Sequence, residues 1–477
     1  MRVLTDLEPK NVFSFFEDIC SIPHPSYKEE KISNYLVEFA KARGLEHYQD
    51  ELHNVIIIKE ASEGYEDVEP IILQGHMDMV CEKAPDCDKD MDEEGLDLEI
   101  DGDFISAKGT TLGGDDGIAV AYALAILDDD SLSHPRLEFV CTVCEEVGME
   151  GGIDVSMLKG KKLLNMDSEE EGVMLASCAG GCRADVKLPV ERETVSGTKL
   201  TVSLSGLTGG HSGSEIDKGR GNANALMSRL LRDASAPVAI ASIDGGRKDN
   251  AIPRECTAQI IVAPDKAAAV KAAIEQAADE MAEEFKASDP DLKLTLSEET
   301  ECSEPAISAK DSARVIALIE ALPNGIIRMS REIDKLVETS LNLGVLKSDD
   351  TAVTLRYAVR SSVGVAKKSL KNQLVCIAEA FAAEVTFEGD YPAWEYKKDS
   401  KLREDMVRIF EEMYGKKPTV EAIHAGVECG LLSGKIEGLD CISMGPDMYD
   451  IHTTEERLSI SSAKRSYEYI LRVIACK

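Results

Sequence analysis

Ile71-Ile72-Leu73-Gln74-Gly75-His76-Met77-Asp78 is the stretch whose reading sets the fold class. Its apolar start predicts a buried strand, and residues two apart on a strand point the same way. His76 and Asp78 therefore face one site together, where the strand runs out. A histidine backed by a carboxylate is a common metal-site arrangement. A satisfied core histidine or a local salt bridge has the same local pattern, so the neighbouring segments must decide.

Those neighbours read as an α/β layer. Residues 11–20 and 28–43 are helical by period, the second with Ile32, Tyr35, Leu36, Phe39 and Ala40 on one stripe. Ser26 and Glu29 have capping-box spacing at its start, and Gly44 suits its end. Val55-Ile56-Ile57-Ile58, residues 137–144 and Leu163-Leu164-Asn165-Met166 are further apolar strands, with a helix predicted over 117–127. Such strands alternating with helices indicate a sheet covered on both faces. The acidic run from Asp86 to Asp103 lacks calcium-loop spacing and reads as a solvated hairpin and loop.

From Arg183 the pattern changes. Strands near 199–204, 238–243 and 256–262 surround helices near 219–232 and 265–284. A second round follows, with a helix over 308–322, strands near 338–346 and 351–359, and a helix over 364–383. The α/β style resumes after Pro392 with helix 401–413, a strand at 439–443 and a terminal helix over 460–475. The expected architecture is an α/β fold whose discontinuous catalytic domain, 1–182 and 393–477, carries a large inserted α+β lid domain, 183–392. The two rounds inside the insertion are what a duplication would leave. At 477 residues, two domains are the default.

Composition narrows the function classes. A formal net charge of −35 disfavours nucleic acid and anionic membrane as partners. No apolar run approaches the length of a membrane span, and the start Met1-Arg2-Val3-Leu4-Thr5-Asp6 has no signal-peptide pattern. Thirteen scattered cysteines, an odd number, fit free thiols in a reducing, cytoplasmic compartment better than a disulfide framework.

Further polar residues stand at strand ends or helix starts. Asp115 and Asp116 lie between paired glycines and a helix start, where aspartates also serve as simple caps. Glu145 and Glu146 end a buried strand, and two like charges there are costly without a cation. Asp167 ends the next short strand, and His452 precedes the last helix. Open α/β sheets place their sites at the carboxyl ends of strands. Two histidines with several carboxylates suit zinc or another borderline divalent ion. The acidic groups outnumber the needs of one zinc, so a two-metal centre with a bridging carboxylate fits better and leaves one glutamate free as base.

Taken in order, His76-Met77-Asp78, Gly114-Asp115-Asp116-Gly117, Glu145-Glu146-Val147-Gly148, Asp167-Ser168-Glu169 and Gly210-His211-Ser212-Gly213 resemble the di-zinc co-catalytic metallopeptidases. That family includes bacterial carboxypeptidases, tripeptidases and aminoacylases. The segments 424–430 and 443–446, with His452-Thr453-Thr454, are similar to its aminoacyl-histidine dipeptidase branch. The resemblance implies a di-metal, aminopeptidase-like catalytic domain. Asp115 would bridge both metals, His76 and Asp167 would complete one, and Glu146 and His452 the other. Glu145 would be the general base, Asp78 would orient and tune His76, and Asp115–Asp116 would be a cis peptide. The metals would be Zn2+, with Co2+ and Mn2+ able to share these ligands.

The implied reaction is hydrolysis of dipeptides, preferentially Xaa-His with a free amino terminus, by a metal-activated bridging water. His211 would hydrogen-bond the scissile carbonyl oxygen from the inserted domain. Arg360 is suited to fork onto the substrate carboxylate, and Glu428 to receive its ammonium group. Asn250 matches a substrate-contacting position of the family, and Gly445 would lend backbone groups to the pocket. A homodimer through the inserted domain is also implied. The alternatives are a broader dipeptidase or an N-acyl-amino-acid amidohydrolase of the same family. From a different class, a non-catalytic, metal-stabilised binding protein remains, and the unligated Glu145 speaks against it.

Overall fold

Strand Ile71–His76 is buried at every residue and lies in the middle of an eight-stranded sheet. In the computed structural model, which describes residues 2–148, 152–297 and 300–477, the chain forms two units. The first holds Met1–Ser177, Tyr396–Ala422 and Val427–Lys477. Its sheet runs Glu46–Gln49, Val55–Lys59, Leu137–Thr142, Ile71–His76, Lys162–Asn165, Asp440–Ser443, Val173–Cys178 and Thr419–Ile423. The central pairings are parallel, and antiparallel strands flank them. Parallel strands need both faces covered, which explains their unbroken apolar runs.

Helix Gly114–Asp128 is buried from Gly114 to Leu127, because beyond Asp115 and Asp116 it is apolar all round and its only stable place is inside. Tyr122 in its middle donates a 2.8 Å hydrogen bond to the Ala463 carbonyl of the terminal helix, Ile460–Ile474. Helix Lys10–Cys20 buries Val12, Phe13, Phe16 and Ile19 in the same core. The acidic run leads into the hairpin of Leu98–Asp101 and Phe104–Ala107.

The predicted capping box is not formed. Helix Glu30–Ala42 starts without a side-chain cap, because both residues serve other partners. The Ser26 hydroxyl donates to Asp78 Oδ2 at 2.8 Å, and Glu29 Oε1 accepts from the Cys144 amide at 3.1 Å. Gly44 does end the helix in a left-handed conformation (φ 67), and the Leu45 amide returns to the Ala40 carbonyl at 3.0 Å.

The second unit holds Cys178–Glu395 and Ile423–Gly426. Its start falls ahead of 183 because strand Gly180–Pro189 pairs along its whole length with Ala352–Ser361. A ten-stranded antiparallel sheet follows the path Lys293–Leu296, Arg192–Ser205, Cys256–Val262, Ala239–Gly245, Val337–Ser348, Ala352–Ser361, Gly180–Pro189 and Glu384–Tyr391, with Thr300–Ile307 beside Arg192–Ser205 and Gly325–Met329 beside Val337–Ser348 off that path. The two rounds seen in the sequence meet in this one sheet, joined by the pairs Asp244↔Lys347 and Gly245↔Leu346. Apolar stripes of helices Ala223–Arg232, Ala267–Glu284, Ala309–Ala321 and Gly364–Ala380 share one core with alternate strand residues such as Leu200, Val202 and Leu204.

Candidate metal centre

Three parallel strands in the first unit set the site. Register pairs His76 with Thr142 and Gln74 with Asn165. The chain beyond each strand therefore delivers Asp78, Glu145 with Glu146, and Asp167 at one edge of the sheet, their carboxyl ends. Helix Gly114–Asp128 brings Asp115 to the same place, and the Asp115–Asp116 peptide is cis. Two turns use left-handed non-glycine residues to aim these groups: Cys144 (φ 56), just before Glu145, and His452 itself (φ 62). Such conformations concentrate where function holds them in place.

The side chains form two clusters that share Asp115. Its Oδ1 lies 3.1 Å from His76 Nε2, which is also 3.5 Å from Asp167 Oδ1. Its Oδ2 lies 3.1 Å from His452 Nε2, which is 2.9 Å from Glu146 Oε1. Zinc ligands at about 2.0–2.1 Å and tetrahedral angles stand roughly 3.3 Å apart. The donor atoms thus already have the spacing of coordination shells, and imidazole with carboxylate is a zinc-type donor set. The geometry fits two adjacent divalent ions with Asp115 between them.

Electrostatics point the same way. Burial pushes the carboxyls of Asp116, Glu145 and Asp167 far above the usual range, with further upward pressure from neighbouring acids. His452 is pushed up to about 10 by its hydrogen bonds to Asp115 and Glu146. So many buried acids around two imidazoles call for cations. Glu145 belongs to neither cluster of possible ligands among the described residues.

Asp78 meets both His76 and the turn after the neighbouring strand. His76 Nδ1 is 2.9 Å from the carbonyl oxygen of Asp78 and 3.5 Å from its carboxylate, so the main chain is the nearer orienting partner. The carboxylate instead accepts from the amides of Glu145 and Glu146, at 3.0 and 3.3 Å. Asp78 therefore fixes the turn that carries both glutamates.

Glu456 was not anticipated. Its buried carboxylate accepts from the amides of Leu112, Gly113 and Gly114 at 2.7, 3.2 and 2.8 Å. It ties the loop bearing His452 to the turn presenting Asp115. Its place four residues after His452, in a run of Thr453-Thr454-Glu455-Glu456, was the one available signal.

Glu428 and Gly445 also lie in this unit. Glu428 is buried and its Oε2 accepts from Gln74 and from Thr142 Oγ1, while burial raises its carboxyl to about 7. Gly445 packs so closely on the Ser168 carbonyl that a Cβ would stand 1.5 Å from its oxygen. That approach explains the glycine.

His211, Asn250 and Arg360 fall in the second unit. A two-stranded ribbon pairs Gly210–His211 with Ala251–Ile252, and the Asn250 carbonyl accepts from the Ser212 amide at 2.8 Å. His211 Nδ1 accepts from the amides of Gly213 and Ser214 at 3.3 and 3.2 Å, so its proton resides on Nε2. Burial and then Arg360 lower the His211 pKa, keeping the ring neutral. Nε2–H and Arg360 Nη2, 3.5 Å apart, are two donors facing one another. His424, buried beside them, holds Ser340 Oγ at 2.7 Å.

The likeness to known proteins runs through both units. Residues 72–475 match the model of peptidase family M20/M25/M40. The cytosol non-specific dipeptidase of Escherichia coli (strain K12) is 37% identical over 468 residues, 97% of this chain and 96% of that one. The crystal structure of an aminoacylhistidine dipeptidase from Vibrio alginolyticus superposes with a TM-score of 0.92 at 34% identity, over 99% of this chain and 98% of the other. An aminopeptidase of Bacillus cereus, 16% identical over 98% of both chains with a TM-score of 0.57, shares the fold. Two adjacent metal clusters, a glutamate outside both, and a match spanning the catalytic and inserted units lead to one assignment: the chain belongs to peptidase family M20/M25/M40 and is a zinc-type metallopeptidase.

Proposed function

We propose that the protein hydrolyses dipeptides bearing a free amino and a free carboxyl terminus, with Xaa-His among its preferred substrates. The observation that carries this is the pair of clusters sharing Asp115, with Glu145 beside them and in neither. Divalent ions bound in these clusters would supply Lewis acidity for activating a water and polarising a carbonyl. His76, Asp115 and Asp167 would hold one, and Asp115, Glu146 and His452 the other. Glu145 takes the proton of the attacking water and passes one to the leaving amine. Asp78 holds the Glu145–Glu146 turn and His76 in place.

The second unit supplies donors for the substrate's oxygens. His211, neutral with its proton on Nε2, donates to the scissile carbonyl oxygen as charge grows there. Arg360 receives the terminal carboxylate, and Asn250 lines the same ribbon. Glu428 receives the ammonium group, and Gly445 lends main-chain groups beside Asp167. Turnover then depends on residues of both units, and the inserted unit pairs two copies into a homodimer. The odd number of cysteines, thirteen, favours a reducing cytoplasmic setting over a disulfide framework, and no described helix is long and apolar enough to cross a membrane.

The preference for Xaa-His rests on likeness to the aminoacylhistidine dipeptidase, whereas the Escherichia coli relative is a non-specific dipeptidase. A panel of dipeptides, with N-blocked analogues and metal counting, separates these. Two metals per chain with fastest cleavage of free-amine Xaa-His supports the narrow form. Equal rates across the panel support the broad one, and equal cleavage of blocked analogues overturns the dipeptidase reading in favour of an amidohydrolase.

A further inference from the structure

Arg360 is 9% exposed, meets Tyr391 and His211, and has no partner for its Nε among the described residues. How its plane is held follows from a row across the sheet of the second unit. Tyr391 pairs with Gly181, Gly181 with Arg360, and Arg360 with Ser340, on four adjacent strands. Residues opposite one another on neighbouring strands project from the same face. A register shift between Glu388 and Tyr391 brings the tyrosine into line with Gly181. A Cβ on Gly181 would stand 2.5 Å from Tyr391 Oη and 2.7 Å from Cζ, so only a glycine lets the ring lie across that strand. The hydroxyl thereby reaches the next strand but one, where Arg360 Nη1 donates to it at 3.3 Å.

The tyrosine is itself anchored. Buried Lys367 donates to the Tyr391 carbonyl oxygen and to Asp390 Oδ1, the latter at 2.8 Å. A guanidinium recognises a carboxylate through a planar fork, so the angle of its plane sets whether two parallel bonds form. Among the described residues no acid ties Arg360, so another group must set that angle.

We propose that Tyr391, laid over Gly181, is a positioning residue that fixes the Arg360 guanidinium for a substrate carboxylate. This rests on the carboxylate-binding role given to Arg360 above. The test compares the metal-loaded wild type, Tyr391→Phe and Arg360→Met on one dipeptide as the free acid and as its C-terminal amide. Tyr391→Phe is expected to raise KM for the free acid about ten-fold with kcat within about two-fold, and to leave cleavage of the amide unchanged. Arg360→Met is expected to abolish the preference for acid over amide. If Tyr391→Phe keeps the wild-type KM and preference while Arg360→Met loses them, the positioning role is overturned and the role of Arg360 stands. An equal loss on acid and amide in Tyr391→Phe marks general damage and also overturns it. If Arg360→Met keeps the preference, Arg360 is not the clamp and both proposals fall. Gly181→Ala, which blocks the path of the ring, is expected to reproduce the KM effect of Tyr391→Phe.

Discussion

The two units carry opposite chemistry at their functional residues. In the first, carboxylates crowd around two histidines, and the acids are tied down by amides, hydroxyls and imidazoles. In the second, a buried arginine and two neutral histidines lie together, with Arg360 Nε lacking a hydrogen-bond partner among the described residues. One arrangement stores negative charge that cations neutralise. The other stores donors that an anionic oxygen satisfies. The first thus carries the ligand sets of a metal site, and the second, under the proposed function, presents its donors to the substrate.

The sharpest way to break this contrast is at Asp115. Asp115→Ala removes the group shared by both clusters, so metal content should fall from two per chain to below one and activity by about 10^4-fold or more. Retention of two tightly bound metals would show that the clusters do not share it. A smaller effect is expected at His211. His211→Ala should lower kcat by about 10^2–10^3 while elemental analysis still finds both metals, since it belongs to the donor side only. Next comes Glu456→Gln, which keeps size but removes the charge facing three amides. Metal affinity should weaken about ten-fold in a chelator competition, as for other groups that support ligands from behind.

The smallest effect concerns pH. Burial, with Arg360 and His211 beside it, holds His424 at about 3, against 6.5 for a free imidazole. The unfolded chain therefore binds a proton below pH 6.5 that the folded chain refuses. The stability owed to neutral His424 is complete above 6.5 and is lost as pH falls from there toward 3, at up to about 1.4 kcal/mol per pH unit. Denaturant unfolding of wild type and His424→Asn across that window should show a steeper loss for the wild type. Parallel curves would contradict it.

Much of the first site was legible in the sequence because its elements are local. Strand ends are marked by apolar runs, and the sheet brings those ends together, so His76, Glu145, Glu146 and Asp167 could be collected in advance. Partnerships made with distant backbone were not legible. Glu456 accepts from amides more than 340 residues away, and nothing in its neighbours announces that. Ser26 and Glu29 have the spacing of a helix signal, yet their side chains bind Asp78 and Cys144, groups distant in sequence that the spacing cannot reveal. The row through Tyr391, Gly181 and Arg360 depends on a register shift near Gly389, and periodicity cannot specify where a strand slips. The division of the second unit at Cys178 likewise follows strand pairing, while the change in composition is visible only from Arg183.

Glu145→Gln tests the central claim most directly, because the claim is that Glu145 acts beside the metals without holding them. The variant is nearly isosteric and removes only the ability to take a proton. Turnover should fall by about 10^2–10^4 while elemental analysis still finds two metals per chain. Full turnover with two metals would remove Glu145 as the base, and loss of a metal would make it a ligand; either result contradicts the account.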